Sequence, residues 1–272
     1  MTEKANVDLR GAAKTMLTTL YLKALDADLE RPVLGDQFAK DAVSRLDFDW
    51  SELGVTAKWA PIVTVRTALY DAWTREFLAA HPKATVIHIG CGLDARVFRL
   101  DPGTDVTWFD ADFPDVIALR EHIYPTRPGY HLLKTSATDP SWLNTIPTDN
   151  PVLFLAEGIS MYLTEEEGTT LLRRVIERFS TGEIQIDFYN WLAIKTQKVH
   201  MLNRRSGSTL HWAVNRPEDV LSQVPGLRHI ADTTLFDAPT FARVQGAFRT
   251  ADKVSKVAPP ARKSLQYHRY AF

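Results

Sequence analysis

The stretch "VIHIGCGLDARVFRL", residues 86–100, decides the fold of this chain. It opens with β-branched and apolar residues that predict a buried strand, passes through two glycines around a cysteine, and ends in a pattern that predicts a helix beginning near Asp94. A strand, a glycine turn and a helix in this order are typical of the first unit of an open parallel sheet, where ligands bind beyond the carboxyl ends of the strands. We therefore expect a ligand site at the exit of this strand.

Five stretches predict buried strands, because they are apolar, β-branched or aromatic and are bounded by turn residues. They are "ATVIHIG" (84–90), "DVTWFDA" (105–111), "YHLLKTS" (130–136), "PVLFLAE" (151–157) and "EIQIDFY" (183–189). Helices are predicted between them over residues 113–123 and 164–179, the second opening with a capping box from Thr164 to Glu167. Strands alternating with helices predict right-handed crossovers and a mainly parallel sheet.

The segments outside this alternation are predicted from the same patterns. Residues 14–29 and 61–81 read as helices, which either cover the sheet as a helical layer or also form a roof over a ligand site. After the fifth strand, residues 190–205 read as a helix. Two late strands, over residues 227–236 and 264–272, are expected to close the sheet edge as a hairpin.

One late segment and the composition carry further expectations. The segment 250–263, which combines charges with a proline pair, is a candidate for a disordered or swinging segment, and whether it is ordered is left open. The 32 basic and 33 acidic residues give a net charge of −1, so the protein is not expected to bind nucleic acid or an anionic membrane, and a small partner is the default. The single cysteine, Cys91, excludes an intrachain disulfide. No signal peptide or membrane helix is recognised, and a cytoplasmic protein is expected.

The glycine turn allows two interpretations. Gly90, Gly92 and Ala95 match the dinucleotide fingerprint, and Asp110 lies twenty residues after Gly90, where a ribose-binding acid would be expected. However, Asp94 at the predicted helix start would repel a pyrophosphate. The ammonium and sulfonium of S-adenosylmethionine would instead be favoured by that charge. Asp94 could also be a plain helix N-cap.

The second strand ends in "FDADFP", residues 109–114, with two acids in reach of a ribose. A carboxylate at a strand end can accept hydrogen bonds from both ribose hydroxyls. Either Asp110 or Asp112 could do so, and the alternatives are a turn acid for Asp110 and an N-cap ahead of Pro114 for Asp112.

Six motifs together resemble the leucine carboxyl methyltransferase family. They are "VRTALYD" (65–71), "IHIGCGLDARVFRL" (87–100), "FDADFPDVI" (109–117), "TSATDPSWL" (135–143), "LFLAEGISMYLTEEE" (153–167) and, for the bacterial branch of polyketide-type O-methyltransferases, "LERPVLGDQFAKDAVSRLDFDW" (29–50). The resemblance covers about residues 14–190. It implies an α/β fold with a Rossmann-like class I methyltransferase sheet, mostly parallel, with seven strands, a C-terminal antiparallel hairpin and a helical N-terminal cap.

The resemblance also implies S-adenosyl-L-methionine as the methyl donor and a single methyltransferase domain over residues 1–272. Within it, residues 1–82 would form the helical cap, residues 83–190 the cofactor-binding core, and residues 191–272 the acceptor-side lid and closing strands.

Position by position, the resemblance assigns the donor site. Gly90 and Gly92 would let the backbone approach the amino-acid part of the donor, and Asp112 matches the acid that takes the ribose hydroxyls. Ser136 and Ala137 lie where the family commonly has an Asp-Leu pair beside the adenine. Ser136 departs from that pattern and loses a charge-assisted hydrogen bond to the adenine amino group.

Three charged residues complete the assignment. Glu157 matches an acid close to the donor ammonium, Arg66 an arginine that reaches the donor carboxylate, and Lys14 a second cation there. The alternatives are a strand-end acid capping a loop for Glu157 and solvated helix residues for Arg66 and Lys14. Between the glycines, Cys91 is expected to fill space.

The acceptor side is less specified. An O-methyltransferase acting on a small acidic or phenolic molecule is predicted, with methyl ester formation on a free acid or peptide C-terminus as an alternative, and a donor-binding regulatory protein without turnover as another. A phenol would need a base, for which His200 and His211 are candidates, but neither is assigned, and no metal is expected.

The region after the fifth strand could hold the acceptor. Residues 190–212 combine aromatics with four cations, and they are either a lid over an acidic substrate or an amphipathic helix with a solvated basic face. These cations are Lys195, Lys198, Arg204 and Arg205. In the loop after Glu157, Met161 and Tyr162 are further candidates to line the acceptor pocket.

Overall fold

The computed structural model describes residues 5–6, 12–197 and 209–272, with side chains from Thr15 onward within these ranges. Its strands are β1 (Ala5–Asn6), β2 (Leu46–Asp47), β3 (Ala84–Ile89), β4 (Val106–Asp112), β5 (Tyr130–Lys134), β6 (Val152–Ala156), β7 (Gly182–Tyr189), β8 (Arg228–Thr234) and β9 (Leu265–Ala271). The last seven form one sheet in the order β5-β4-β3-β6-β7-β9-β8. All five strands predicted for the core are confirmed. Neighbouring strands from β5 to β7 pair in parallel, whereas β9 runs antiparallel to both β7 and β8, which confirms the expected sheet class.

The described helices are α1 (Ala12–Ala27), α2 (Gln37–Arg45), α3 (Pro61–Ala80), α4 (Arg96–Leu100), α5 (Pro114–Ile123), α6 (Glu165–Arg178), α7 (Trp191–Lys195), α8 (Pro217–Leu221), α9 (Ala247–Ser255) and α10 (Pro259–Arg262). Helix α6 begins with the predicted capping box, in which the side chains of Thr164 and Glu167 each bond to the other residue's backbone N–H. This box satisfies N–H groups that the first turn of a helix leaves without a partner.

Both faces of the sheet are covered, so its central strands are buried throughout. Every residue of β3 and β6 is buried. Since side chains alternate along a strand, Val86 packs with α3 on one face, while Ile87 and Ile89 pack with α6 on the other. From β3, the chain adds β4 and β5 toward one edge of the sheet and then β6 and β7 toward the other. The strand order therefore reverses between β3 and β6, and an open sheet forms its ligand crevice at such a point.

The C-terminal part contains the expected antiparallel pair of late strands at the sheet edge, with β9 between β7 and β8 and residues 235–264 between the two strands along the chain. Two other stretches of this part differ from the sequence interpretation. The segment 250–263, a candidate for disorder in the sequence, is largely helical in α9 and α10, and Arg262 in α10 forms ion pairs with Asp237 and Asp252. The helix predicted over residues 190–205 is described only as α7, which ends at Lys195, and residues 198–208 lie outside the described residues.

Candidate functional site

A cavity of about 670 Å³ opens at the carboxyl ends of β3, β4 and β6. It is of the size that small-molecule and cofactor sites have. The sequence-predicted residues that line it are Arg66, Gly90, Gly92, Asp112, Ser136, Ala137, Glu157 and Tyr162. The structure thus brings these residues together, and Met161 is buried beside Tyr162 without being part of the lining.

The glycine turn after β3 requires its glycines. Gly90 has a φ of +63° and Gly92 a φ of +52°, a left-handed conformation that residues with a Cβ seldom adopt. A Cβ on Gly90 would lie 2.7 Å from Cδ1 of Ile159, and one on Gly92 would lie 3.0 Å from Cγ of Met16. Both glycines therefore keep the backbone bare where it faces the cavity.

The two acids at the end of β4 have different surroundings. Asp110 is buried in the core, where its carboxylate binds the guanidinium of Arg120 and accepts a hydrogen bond from Trp108 Nε1 at 2.8 Å. Asp112 lines the cavity, and its two carboxylate oxygens accept from the backbone N–H groups of Gly92 and Phe113, each at 2.8 Å. Burial raises the pKa of Asp112. Of the two acids, Asp112 is the one placed to accept from a ligand, and it is not an N-cap, since Phe113 occupies that position in α5.

Arg66, on α3, extends to the end of β6. Its Nε donates to Glu157 Oε1 at 3.0 Å and its Nη1 to Asp187 Oδ2 at 2.7 Å. A Cβ on Gly158 would lie 3.1 Å from Arg66 Nη2, so this third prong of the guanidinium lies against the bare backbone at the cavity wall. The fixed fork leaves one nitrogen that could bind a carboxylate.

Glu157 is more heavily engaged than the sequence predicts. Besides Arg66, it accepts from Thr67 Oγ1 at 2.8 Å and from Arg96 Nη2. Burial alone would raise the pKa of Glu157, but the guanidiniums of Arg96 and Arg66 outweigh it and hold that pKa well below its usual range. Glu157 therefore stays ionised beside the cavity, with part of its accepting capacity left for a ligand.

Asp94 does not cap α4, because that helix begins two residues later and Ala95 occupies its N-cap. Its carboxylate instead binds Lys23 Nζ at 2.8 Å and Arg99 Nη2 at 3.1 Å. Burial would raise the pKa of Asp94, but Lys23 and Arg99 hold it well below its usual range. The N-cap interpretation is wrong, and Asp94 is a cavity-lining anion tied to α1.

Helix α1 forms part of the cavity wall, so the N-terminal helices do more than cover the sheet. The side chains of Met16, Thr19 and Lys23 contribute to the lining, together with Thr15 and Leu20. They recur at helical spacing, so one face of α1 lies over the site. Lys14 belongs to α1, but its side chain lies outside the described residues.

On the remaining wall, Ser136 and Ala137 follow β5 and are partly exposed. Ser136 Oγ lies 2.9 Å from Thr138 Oγ1, so a hydroxyl pair occupies the position where a carboxylate is usual in the family. Phe113, 54% exposed, lies between Asp112 and α5 at the cavity rim. Its ring is a flat apolar surface that could contact a planar base.

Of the two candidate bases, the structure describes only His211. His211 is exposed and is not part of the lining, and His200 lies outside the described residues. The histidine that does line the cavity is His88, which is 1% exposed with Nδ1 3.4 Å from Asp110 Oδ1. Its near-complete burial leaves an acceptor hydroxyl little access to the ring.

Sequence reasoning missed Asp187, which organises two cavity-lining elements at once. Its Oδ2 binds Arg66, and its Oδ1 accepts from the backbone N–H of Gly158 at 2.7 Å. A sequence signal was present, since a charged residue inside the apolar run "EIQIDFY" must find a buried partner. Lys23, inside the apolar face of α1, carries the same signal.

Within the described ranges, no helix is long and apolar enough to cross a membrane. Nor do three or more histidine, cysteine, aspartate or glutamate side chains group as a metal site in that part of the chain.

Comparisons with known proteins agree with this geometry. The chain matches the model of the leucine carboxyl methyltransferase family over residues 16–129. It is 38% identical to the tetracenomycin polyketide synthesis O-methyltransferase TcmP of Streptomyces glaucescens over 266 residues, covering 98% of both chains. It is 34% identical to the S-adenosyl-L-methionine-dependent methyltransferase dpfgK of Gibberella zeae, covering 84% of this chain and 83% of the relative.

Among solved structures, a DUF574 family protein from Streptomyces avermitilis superimposes with a TM-score of 0.58 at 12% identity. The match covers 92% of this chain and 96% of the other. At this identity the likeness concerns the fold.

Proposed function

The chain belongs to the leucine carboxyl methyltransferase family, in its bacterial polyketide-type branch, and on that premise we propose how its cavity holds donor and acceptor. It is an S-adenosylmethionine-dependent O-methyltransferase. We propose that its acceptor is a small acidic or phenolic molecule of polyketide type.

One observation carries the proposal: the cavity presents a different chemical group to each part of the donor. Asp112 offers a carboxylate for the ribose hydroxyls, and Arg66 Nη2 offers a donor for the carboxylate of the ligand. Asp94 and Glu157 supply negative charge for the ammonium and sulfonium. A dinucleotide would bring a pyrophosphate close to Asp94, so the residues fit the adenosyl donor better.

Other residues are proposed to complete the donor site. Gly90 and Gly92 let the backbone approach the amino-acid part, and Ser136 with Ala137 borders the adenine, where Phe113 adds a flat apolar wall. Lys14 remains a proposed second cation for the ligand carboxylate. We propose that the helical cap (1–82), the cofactor-binding core (83–190) and the acceptor-side lid with the closing strands (191–272) form a single domain around this site.

When bound, the donor supplies a methyl group already activated by a sulfonium, so the protein mainly has to align the acceptor and exclude water. Helix α1 contributes to both tasks, since Met16 and Leu20 present apolar surface to the cavity. Lys23 fastens α1 to the glycine turn through Asp94. Tyr162, on the loop after β6, is proposed to line the acceptor side.

A specific observation favours a carboxylate acceptor over a phenol. A phenol must lose a proton, whereas a carboxylate needs no base. Five acids line the described part of the cavity, and each already has a partner. Glu157 binds arginines, Asp94 binds Lys23, and Glu167 belongs to its capping box. Asp112 accepts from the backbone N–H groups of Gly92 and Phe113, and Asp115 from that of Val116. His88 is almost completely buried. We therefore propose methyl ester formation on a small aromatic acid as the preferred reaction.

The test uses matched acceptors. Polycyclic phenols bearing a carboxyl group are incubated with protein and S-adenosylmethionine, beside analogues in which either the carboxyl or the phenol is absent. Products are identified by mass spectrometry before and after mild base, which cleaves methyl esters and leaves aryl ethers. Ester products on carboxyl-bearing acceptors support the proposal. Base-stable ethers formed equally well without the carboxyl group would show that a phenol is the acceptor.

A further inference from the structure

The glycine turn is held from behind by α5. Arg120 Nη1 donates to the carbonyl oxygens of Gly92 and Asp94, each at 2.8 Å, and Tyr124 Oη donates to the carbonyl oxygen of Leu93 at 2.7 Å. Three consecutive carbonyls are thus bound by Arg120, in the last turn of α5, and by Tyr124, the residue that follows the end of this helix. This fixes the orientation of three successive peptide planes in the turn.

Arg120 is itself anchored in the core. It is 1% exposed, and its Nη2 binds Asp110 and donates to Tyr130 Oη at 2.8 Å. Asp110 in turn accepts from Tyr130 Oη at 2.8 Å and from Trp108 Nε1. The acid that the sequence offers as an alternative ribose ligand is therefore the counter-ion of Arg120. A buried guanidinium with such fixed partners has little freedom to move.

The same unit carries the acid proposed for the ribose. Asp112 ends β4 and lies two residues before α5, and it also accepts from the N–H of Gly92. The carbonyl of Ala111 accepts from the N–H of Gly90 at 2.8 Å. Strand β4 and α5 therefore form hydrogen bonds with the turn from two sides and fix its distance from Asp112.

We propose that Arg120, together with Tyr124, is a positioning residue for methyl-donor binding. It acts through the turn at Gly92–Asp94 and sets the amino-acid subsite relative to the ribose acid, without touching the ligand, since neither side chain lines the cavity. This inference rests on the proposed assignment of the donor site. It predicts an effect on donor affinity that exceeds the effect of losing an equivalent buried hydrogen bond elsewhere.

The experiment compares Arg120→Lys and Tyr124→Phe with the control Tyr270→Phe. Tyr270 is also fully buried, and its hydroxyl bonds to His268 Nδ1 at 2.7 Å on β9, away from the turn. Dissociation constants are measured by calorimetry for S-adenosylhomocysteine and for 5′-methylthioadenosine, which lacks the amino-acid part. Donor KM, kcat and the unfolding midpoint are measured in parallel.

Tyr124→Phe is expected to raise the S-adenosylhomocysteine Kd about tenfold, about 1.4 kcal/mol. The Kd of 5′-methylthioadenosine should change less than about threefold, and kcat at saturating donor should be unchanged. Arg120→Lys should have a larger effect of the same kind, because Nη1 holds both carbonyls while Nη2 holds Asp110, and a single ammonium cannot do both. Tyr270→Phe should lower the unfolding midpoint and leave both dissociation constants as in the wild type.

Each alternative result is decisive. If Tyr124→Phe loses stability but keeps its S-adenosylhomocysteine affinity within about twofold, or weakens both ligands equally, the positioning role is wrong. If Arg120→Lys fails to fold, the two dissociation constants of Tyr124→Phe alone decide whether the positioning role holds. A wild-type protein that binds neither ligand would instead overturn the donor site itself.

Discussion

Arg66→Lys tests how the donor carboxylate is bound. Two prongs of the Arg66 guanidinium already bind Glu157 and Asp187, at 3.0 and 2.7 Å, so the third is left for a ligand. A lysine has one ammonium and no fork, and it cannot keep both acids while reaching the ligand. The loss of one charge-assisted hydrogen bond, about 1.5–3 kcal/mol, corresponds to about 10- to 150-fold in Kd.

The assay is calorimetric titration with S-adenosylhomocysteine and with 5′-methylthioadenosine, which has no carboxylate, well below the unfolding midpoint. Arg66→Lys should weaken the first ligand by that factor and the second by less than about twofold. Arg269→Lys is the matched control, since Arg269 holds Glu183 through two nitrogens on the far strand β9. Equal weakening of both ligands by Arg66→Lys, or no weakening of the first, would refute the assigned role.

Three further predictions concern the turn, pH and stability. Gly90→Ala should lower the free energy of unfolding by about 1–2 kcal/mol and weaken donor binding, because its Cβ would contact Ile159 beside the cavity. The control is Gly246→Ala, since Gly246 has a φ of +73° and a Cβ there would have nothing within 4 Å. In urea unfolding this control should show only the stability loss. Burial lowers the pKa of His268 to about 3, so between pH 6.5 and pH 3 the unfolded state binds more protons, and the free energy of unfolding decreases as the pH is lowered. His268→Gln should remove about 1.6 kcal/mol of the loss between pH 6.5 and 5, as followed by urea unfolding. Burial also raises the pKa of Asp112, so titrations should show donor affinity falling as the pH drops toward that pKa and the carboxylate is protonated.

The elements that the sequence predicts correctly are those set by local pattern. The five core strands, the capping box at Thr164 and the glycine turn follow from periodicity, capping and backbone conformation within a few residues. The order of residues 250–263 could not be predicted in this way, because Arg262 contacts Asp237, which is 25 residues away along the chain.

The buried charges of the site could not be paired from sequence. Lys23 and Asp94 are 71 residues apart and Arg66 and Asp187 are 121 apart, so nothing local indicates that they meet. For Asp94 the local rule favoured an N-cap, but α4 begins two residues later and the carboxylate turns toward α1. Only the packing of α1 and α3 against the sheet decides these contacts.

The central claim is that the cavity binds an adenosyl methyl donor through Asp112. The most direct measurement is calorimetric titration of the wild type and of Asp112→Asn with S-adenosylmethionine, S-adenosylhomocysteine and NAD. The wild type should bind both adenosyl ligands with micromolar affinity and not bind NAD, and Asp112→Asn should lose that binding. No adenosyl binding by the wild type, or NAD binding that disappears in Asp112→Asn, would contradict the account.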